Sequence, residues 1–152
     1  MAYLLDTGIL LRIVDAKDAR HSVVMQAVQR LISQRESLLI ATQNVAEFCN
    51  VVTRPVANNG LGLPPQKALE LLAGEIEPIA TVISEREQAY SEFKRLVLTY
   101  NVSSKQVHDA RLVAMMLAWQ VESILTLNDQ DFRRYQPEGI TVVTPSSLAA
   151  SP

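Results

Sequence analysis

Short apolar runs alternate along this chain with longer segments whose apolar positions recur at three- and four-residue steps, a strand signal followed by a helix signal several times over. Tyr3-Leu4-Leu5 reads as a buried strand that stops on Asp6, and Ile9-Leu10-Leu11 with Ile13-Val14 predicts a short helix behind it. From about His21 to Gln34, residues Val24, Ala27, Val28, Leu31 and Ile32 keep one helix face. Leu38 to Ala41 predicts a second strand, and Thr42 an N-cap for a helix to about Arg54, where Pro55 stops it. Pro65 opens a further helix to about Glu75, with proline in the first turn where its missing N–H does no harm. Ile79 to Ile83 predicts a third strand, and Ser84 to Glu87 a capping box for a helix to about Tyr100.

Ser103-Ser104-Lys105-Gln106 offers another capping box ahead of the strongest helix pattern, in which Ala110, Val113, Ala114, Leu117, Ala118 and Val121 form a continuous stripe. Asp109 stands at the edge of that stripe, in the expected second turn. Ile124 to Leu127 predicts a fourth strand, Asp131 to Tyr135 a helical turn, and Ile140 to Val143 a last strand. Val56 to Pro65 is dense in turn formers and predicts a mobile loop, one that could gate a groove or meet a partner. Strands alternating with helices through short connections imply an α/β fold, a three-layer α/β/α sandwich around a mainly parallel sheet. A single domain over residues 1–145 is expected, with 146–152 as a frayed tail that has little to bury.

The chain has 152 residues, of which 48% are hydrophobic and 20% charged, ordinary values for a protein with its own core. Its longest apolar run, Val113 to Trp119, is far too short to cross a bilayer, and Asp6 interrupts any early signal segment, so a cytoplasmic location is expected. One cysteine, Cys49, excludes an internal disulfide and a cysteine-based zinc site, and two histidines are too few for a histidine-rich site. Any bound metal must then be held by oxygens, which suits Mg2+ or Mn2+. A net charge of −2 and a pI near 5.7 provide no global attraction to nucleic acid, leaving room only for local contact with a phosphodiester.

Four acids fall where the carboxyl edge of the sheet is expected: Asp6, Glu47, Asp109 and Asp129. The first three have a bland role as well. Asp6 can cap a helix, Glu47 can be a solvated helix residue on a face with Gln43, Asn50 and Arg54, and Asp109 can favour a positive helix start. Gathered at one edge, however, carboxylates repel one another unless a proton or a cation intervenes. One or two divalent ions there could activate water for in-line attack on a phosphodiester, leaving a 5′-phosphate and a 3′-hydroxyl without any covalent nucleophile. His108 is set about 100° around its helix from Asp109 and is expected to point elsewhere. Arg12, Arg54, Lys105, Arg111 and Arg133 are the basic residues nearest in sequence to the acids, and none is assigned to RNA.

The segments LLDTGILLRIVD (4–15), TQNVAEF (42–48), HDARLVAMM (108–116) and TLNDQDF (126–132) together resemble a PIN domain of the VapC toxin type, from Tyr3 to about Pro145. That resemblance implies a Mg2+- or Mn2+-dependent endoribonuclease acting on single-stranded RNA, commonly the toxin of a toxin–antitoxin pair, with an antitoxin partner and often a homodimer. It carries Asp6, Glu47 and Asp109 onto the first three acidic positions of the family. The fourth is open among Asn128, Asp129 and Asp131. Asp129 is favoured because it needs one residue of slippage, Asn128 lacks the charge, and Asp131 can cap the following turn. Gly8 stands where the family commonly has a polar residue. A response-regulator receiver lacks its adjacent acid pair here, and a haloacid-dehalogenase phosphatase would need an aspartate at Gly8. The stronger rival is a PIN-like module that binds RNA or protein without cutting.

Overall fold

The computed structural model describes residues 1–150 and places a five-stranded sheet at the centre, ordered β3-β2-β1-β4-β5. The strands are β1 (Ala2–Leu5), β2 (Ser37–Ala41), β3 (Thr81–Ile83), β4 (Ser123–Leu125) and β5 (Thr141–Val143), and every neighbouring pair is parallel. β1 is the central strand, with Leu4 level with Leu39 of β2 on one side and Ile124 of β4 on the other. Strand order reverses there, so the crevice for a ligand opens beyond the carboxyl ends of β1 and β4.

Alternation along β1 sends successive leucines to opposite faces and so builds two cores. Leu5 packs with Ile9, Leu10, Val24, Leu31 and Phe48, from α1 (Thr7–Val14), α2 (His21–Ser33) and α3 (Thr42–Thr53). On the other side, Leu4 packs with Leu96 of α5 (Glu87–Thr99), Leu112 and Val113 of α6 (Gln106–Trp119), and Phe132 of α7 (Asp129–Phe132). These two layers enclose the sheet, the expected α/β/α arrangement.

Local chemistry departs from the sequence reading at several helix ends. Ala41, not Thr42, occupies the N-cap of α3, because the Asn44 side chain reaches back to accept the Ala41 N–H at 2.8 Å. Neither expected capping box forms: α5 starts after Arg86 and α6 after Lys105, both without a side-chain cap. Arg86 instead stacks 3.5 Å over the Trp119 ring. The late start of α6 puts Asp109 in its first turn, nearer the carboxyl edge of the sheet than expected.

The turn-rich loop after α3 is folded back on that helix, where a mobile segment was expected. It contains a 3-10 turn at Val56–Asn58, and Leu61, Gly62 and Leu63 N–H groups bond to the Val51, Arg54 and Val52 carbonyls. Gly60 permits this closeness, since a Cβ there would lie 2.0 Å from the Arg54 carbonyl oxygen. α4 (Pro65–Leu71) then runs into a π-type turn, Leu72–Ile76.

The expected frayed tail is also corrected. Pro145–Ala150 form α8, whose Leu148 side chain joins the core on the α1–α3 side, while Arg30 of α2 donates to the Leu148 carbonyl at 3.0 Å. Six residues suffice because one leucine and one carbonyl dock on an existing helix. Residues 151–152, the remainder of that expected tail, lie outside the described residues. No helix among the described residues is long and apolar enough to cross a membrane.

Candidate active site

Asp6 follows β1 directly and caps α1, its Oδ1 accepting the Thr7 N–H at 2.9 Å. Its other oxygen accepts from the Thr126 hydroxyl at 2.7 Å, immediately beyond β4. Two donors on a side chain only 9% exposed fix the carboxylate. Burial raises the Asp6 pKa, the Thr126 and Thr7 bonds oppose that rise, and the charges of Glu47 and Asp131 add to it.

Glu47 is reached through α3. Its Oε2 accepts from the Thr7 hydroxyl at 2.6 Å and its Oε1 from the Gln43 amide at 2.8 Å. Gln43 also donates to the His108 carbonyl at 2.8 Å and accepts from Arg111 at 2.9 Å, linking α3 to α6. Asn44 donates to Thr7 Oγ1 at 3.2 Å. Of the polar face that reads as solvated, Gln43 is buried at 7% exposure and Glu47 is half-buried, while Asn50 is exposed; beside it Asn44 is fully buried.

Asp109 projects from the first turn of α6, and no side-chain hydrogen bond among the described residues holds it. Burial, followed by the charges of Asp131, Asp6 and Glu47, pushes its pKa up to about 7, and Arg134 offsets part of that rise. The same interactions bring a fourth acid to this cluster. Asp131 acts on both Asp6 and Asp109 and lines a cleft with Asp109. Asp129, the residue favoured from sequence, forms a salt bridge with Arg133 one helical turn on. The reason is helical: α7 begins at Asp129, which pairs with Arg133 one turn on, while Asp131, two positions further round, lies exposed at the cleft it shares with Asp109. Asn128 takes the N-cap position of α7 and its N–H bonds to Thr126 Oγ1 at 3.0 Å.

Asp6, Glu47, Asp109 and Asp131 thus come together beyond the switch point, and His108 contributes only its carbonyl. Sequence reading missed Gln43, Asn44 and Thr126, although Gln43 lies one helical turn before Glu47 and Thr126 ends a strand as Asp6 does. Among the described residues, no three acidic, histidine or cysteine side chains close into a metal cage. The donor set still fits a hard cation. It is all oxygen, one carboxyl is destabilised as an anion by its three neighbours, and magnesium ordinarily binds through one or two carboxylates plus water and phosphate oxygens.

No curated protein matches this sequence. Among solved structures, VapBC-1 from nontypeable Haemophilus influenzae is similar with a TM-score of 0.70 at 14% identity, covering 96% of this chain and 99% of that one. VapC20 from Mycobacterium tuberculosis, described as a sarcin-ricin loop cleaving toxin, matches with a TM-score of 0.62 at 13% identity over 93% of this chain and 97% of its own. A toxin–antitoxin complex from Klebsiella pneumoniae matches with a TM-score of 0.61 at 21% identity, over 94% and 97% of the two chains. At these identities the likeness establishes a shared fold. The sequence itself matches the PIN domain family over residues 3–136, which includes all four converging acids, and the chain belongs to that family.

Proposed function

We propose that this protein is a divalent-metal-dependent endoribonuclease that hydrolyses single-stranded RNA, acting in the cytoplasm as the toxin of a toxin–antitoxin pair. The observation that carries this reading is the convergence of Asp6, Glu47, Asp109 and Asp131 at the switch point of the sheet. Asp6, Asp109 and Asp131 would hold Mg2+ or Mn2+, with Glu47 directly or through water. A divalent cation in such a site acidifies water and neutralises charge on the phosphate and the departing oxygen.

The chain's own contribution is orientation. Thr126 and Thr7 N–H fix both Asp6 oxygens, and Thr7 and Gln43 fix both Glu47 oxygens, so two of the four acids are held in place before substrate arrives. Attack of water on phosphorus with cleavage of the P–O3′ bond leaves a 5′-phosphate and a 3′-hydroxyl. An antitoxin partner accords with the toxin–antitoxin complex among the structural neighbours, and a homodimer is part of the same reading.

The test is cleavage of labelled single-stranded RNA by protein purified free of any inhibitor, with manganese and with chelator. Cleavage that needs the metal and is lost in folded Asp6→Asn and Asp109→Asn supports the reading. RNA binding without cleavage in the wild type would move the protein to a non-cutting PIN-like module.

A further inference from the structure

We propose that the RNA strand leaves the scissile bond along the cleft lined by Ser103, Ser104, Lys105, Gln106, Asp109 and Asp131, with Lys105 and Arg134 each holding a flanking phosphate. The inference rests on the nuclease reading of the same site and adds the path and the residues that recognise the backbone.

Two of the acids, Asp109 and Asp131, line this cleft, so a strand lying in it meets the site. Every nucleotide entering a cluster of carboxylates adds a negative charge, and the chain as a whole carries −2. Binding therefore depends on local cations with no carboxylate partner of their own.

Most nearby basic residues fail that requirement. Arg12 lies 3.4 Å from Asp18, Arg111 binds Gln43 and Glu85, and Arg133 is paired with Asp129. Lys105 on the cleft wall and Arg134 beyond Asp131 form no ion pair among the described residues. Arg134 neighbours the Tyr135 hydroxyl, a buried group with no well-formed hydrogen bond of its own, and its charge reaches Asp109. Lys105 therefore shares the cleft wall with Asp109 and Asp131, and Arg134 stands on the 3-10 turn that follows α7, three residues after Asp131.

The opposite side of the site is already occupied by its own bonds. Gln43 joins Glu47, the His108 carbonyl and Arg111, and Arg111 reaches Glu85. A strand taking that direction would have to break these contacts, whereas the Ser103 and Ser104 hydroxyls line a cleft that is open and can donate to phosphate.

The experiment measures steady-state cleavage of a labelled single-stranded RNA with manganese, and the salt dependence of its binding to an Asp6→Asn background. Lys105→Gln and Arg134→Gln are each expected to raise KM about five- to tenfold with little change in kcat, and to lower the log–log salt slope by about 0.7. Lys105→Arg and Arg134→Lys should restore the slope, and Arg133→Gln should leave KM and slope unchanged. Wild-type KM and slope in both glutamine variants, with the wild-type enzyme cutting, would overturn the path while leaving the nuclease reading intact. An equal effect of Arg133→Gln would also overturn it. Failure of the wild type to cut or bind RNA would instead remove the nuclease reading, and the path with it.

Discussion

Thr126 and Asp6 are 120 residues apart in sequence, yet the Thr126 hydroxyl donates to Asp6 Oδ2 at 2.7 Å across the carboxyl ends of two adjacent parallel strands. The bond converts strand pairing into side-chain orientation. Thr126→Val keeps the shape of a fully buried residue but removes the donor, leaving one Asp6 oxygen unmatched. Activity is expected to fall at least tenfold and stability by about 1–2 kcal/mol. Thr126→Ser should recover most of both. Cleavage rates with thermal melts of the three proteins check this, and wild-type activity in the valine variant would show that Asp6 needs no such support.

Asp129 and Asp131 separate cleanly by environment. Asp131 acts on Asp6 and Asp109, whereas Asp129 is in an exposed i,i+4 pair with Arg133, a kind of pair worth only about 0.3–0.5 kcal/mol. Asp131→Asn is expected to reduce RNA cleavage by two or more orders of magnitude, and Asp129→Asn by less than about threefold. The reverse ranking in a side-by-side assay would return the fourth position to Asp129.

The Asp109 carboxyl predicts how stability depends on pH without added metal. Its ordinary value of 3.8 is raised to about 7 by burial and by three like charges. Between those values the folded chain keeps a proton that the unfolded chain has released, so this group's contribution to stability is full below pH 4 and is lost as pH rises toward 7. Asp109→Asn escapes the loss. The variant should match the wild type near pH 4 and exceed it above pH 7 by about 1–2 kcal/mol after allowance for solvent screening. Manganese should narrow the difference by stabilising the wild type alone. Denaturant melts across this range would contradict the account if the gap did not change with pH.

The C-terminal helix contributes through Leu148 and the Arg30 bond to its carbonyl. Ending the chain after Thr144 is expected to lower stability by about 1–3 kcal/mol, and Leu148→Asp by a similar amount. Melting curves unchanged by both would mean that α8 adds nothing to the fold.

Much of this architecture is legible from hydrophobic period alone. Each of the five strands is a short apolar run, and Asp6 stands out because it ends the first of them. What failed was local. Ser84 and Ser103 offered hydroxyls for caps, but the backbone enters α5 and α6 through Arg86 and Lys105, and a cap motif cannot report the direction from which the chain arrives. The tail looked frayed because a six-residue segment shows no period, while its docking depends on α2, far away in sequence. At the site, Asp6, Glu47 and Asp109 carried enough pattern to be selected. The fourth position, open in sequence among Asn128, Asp129 and Asp131, depends on where α7 begins, a one-residue matter that decides which carboxylate lines the cleft and which pairs with Arg133. Gln43 reads as solvent-facing because only tertiary contact with α6 buries it.

The most direct measurement is the anomalous scattering of manganese in crystals of the wild-type protein soaked with that ion. The account predicts one or two peaks beyond the ends of β1 and β4, within coordination distance of Asp6 and of Asp109 or Asp131, and none on Asp129. Occupied manganese elsewhere with none among these acids, in crystals whose pH leaves Asp109 ionised, would contradict it.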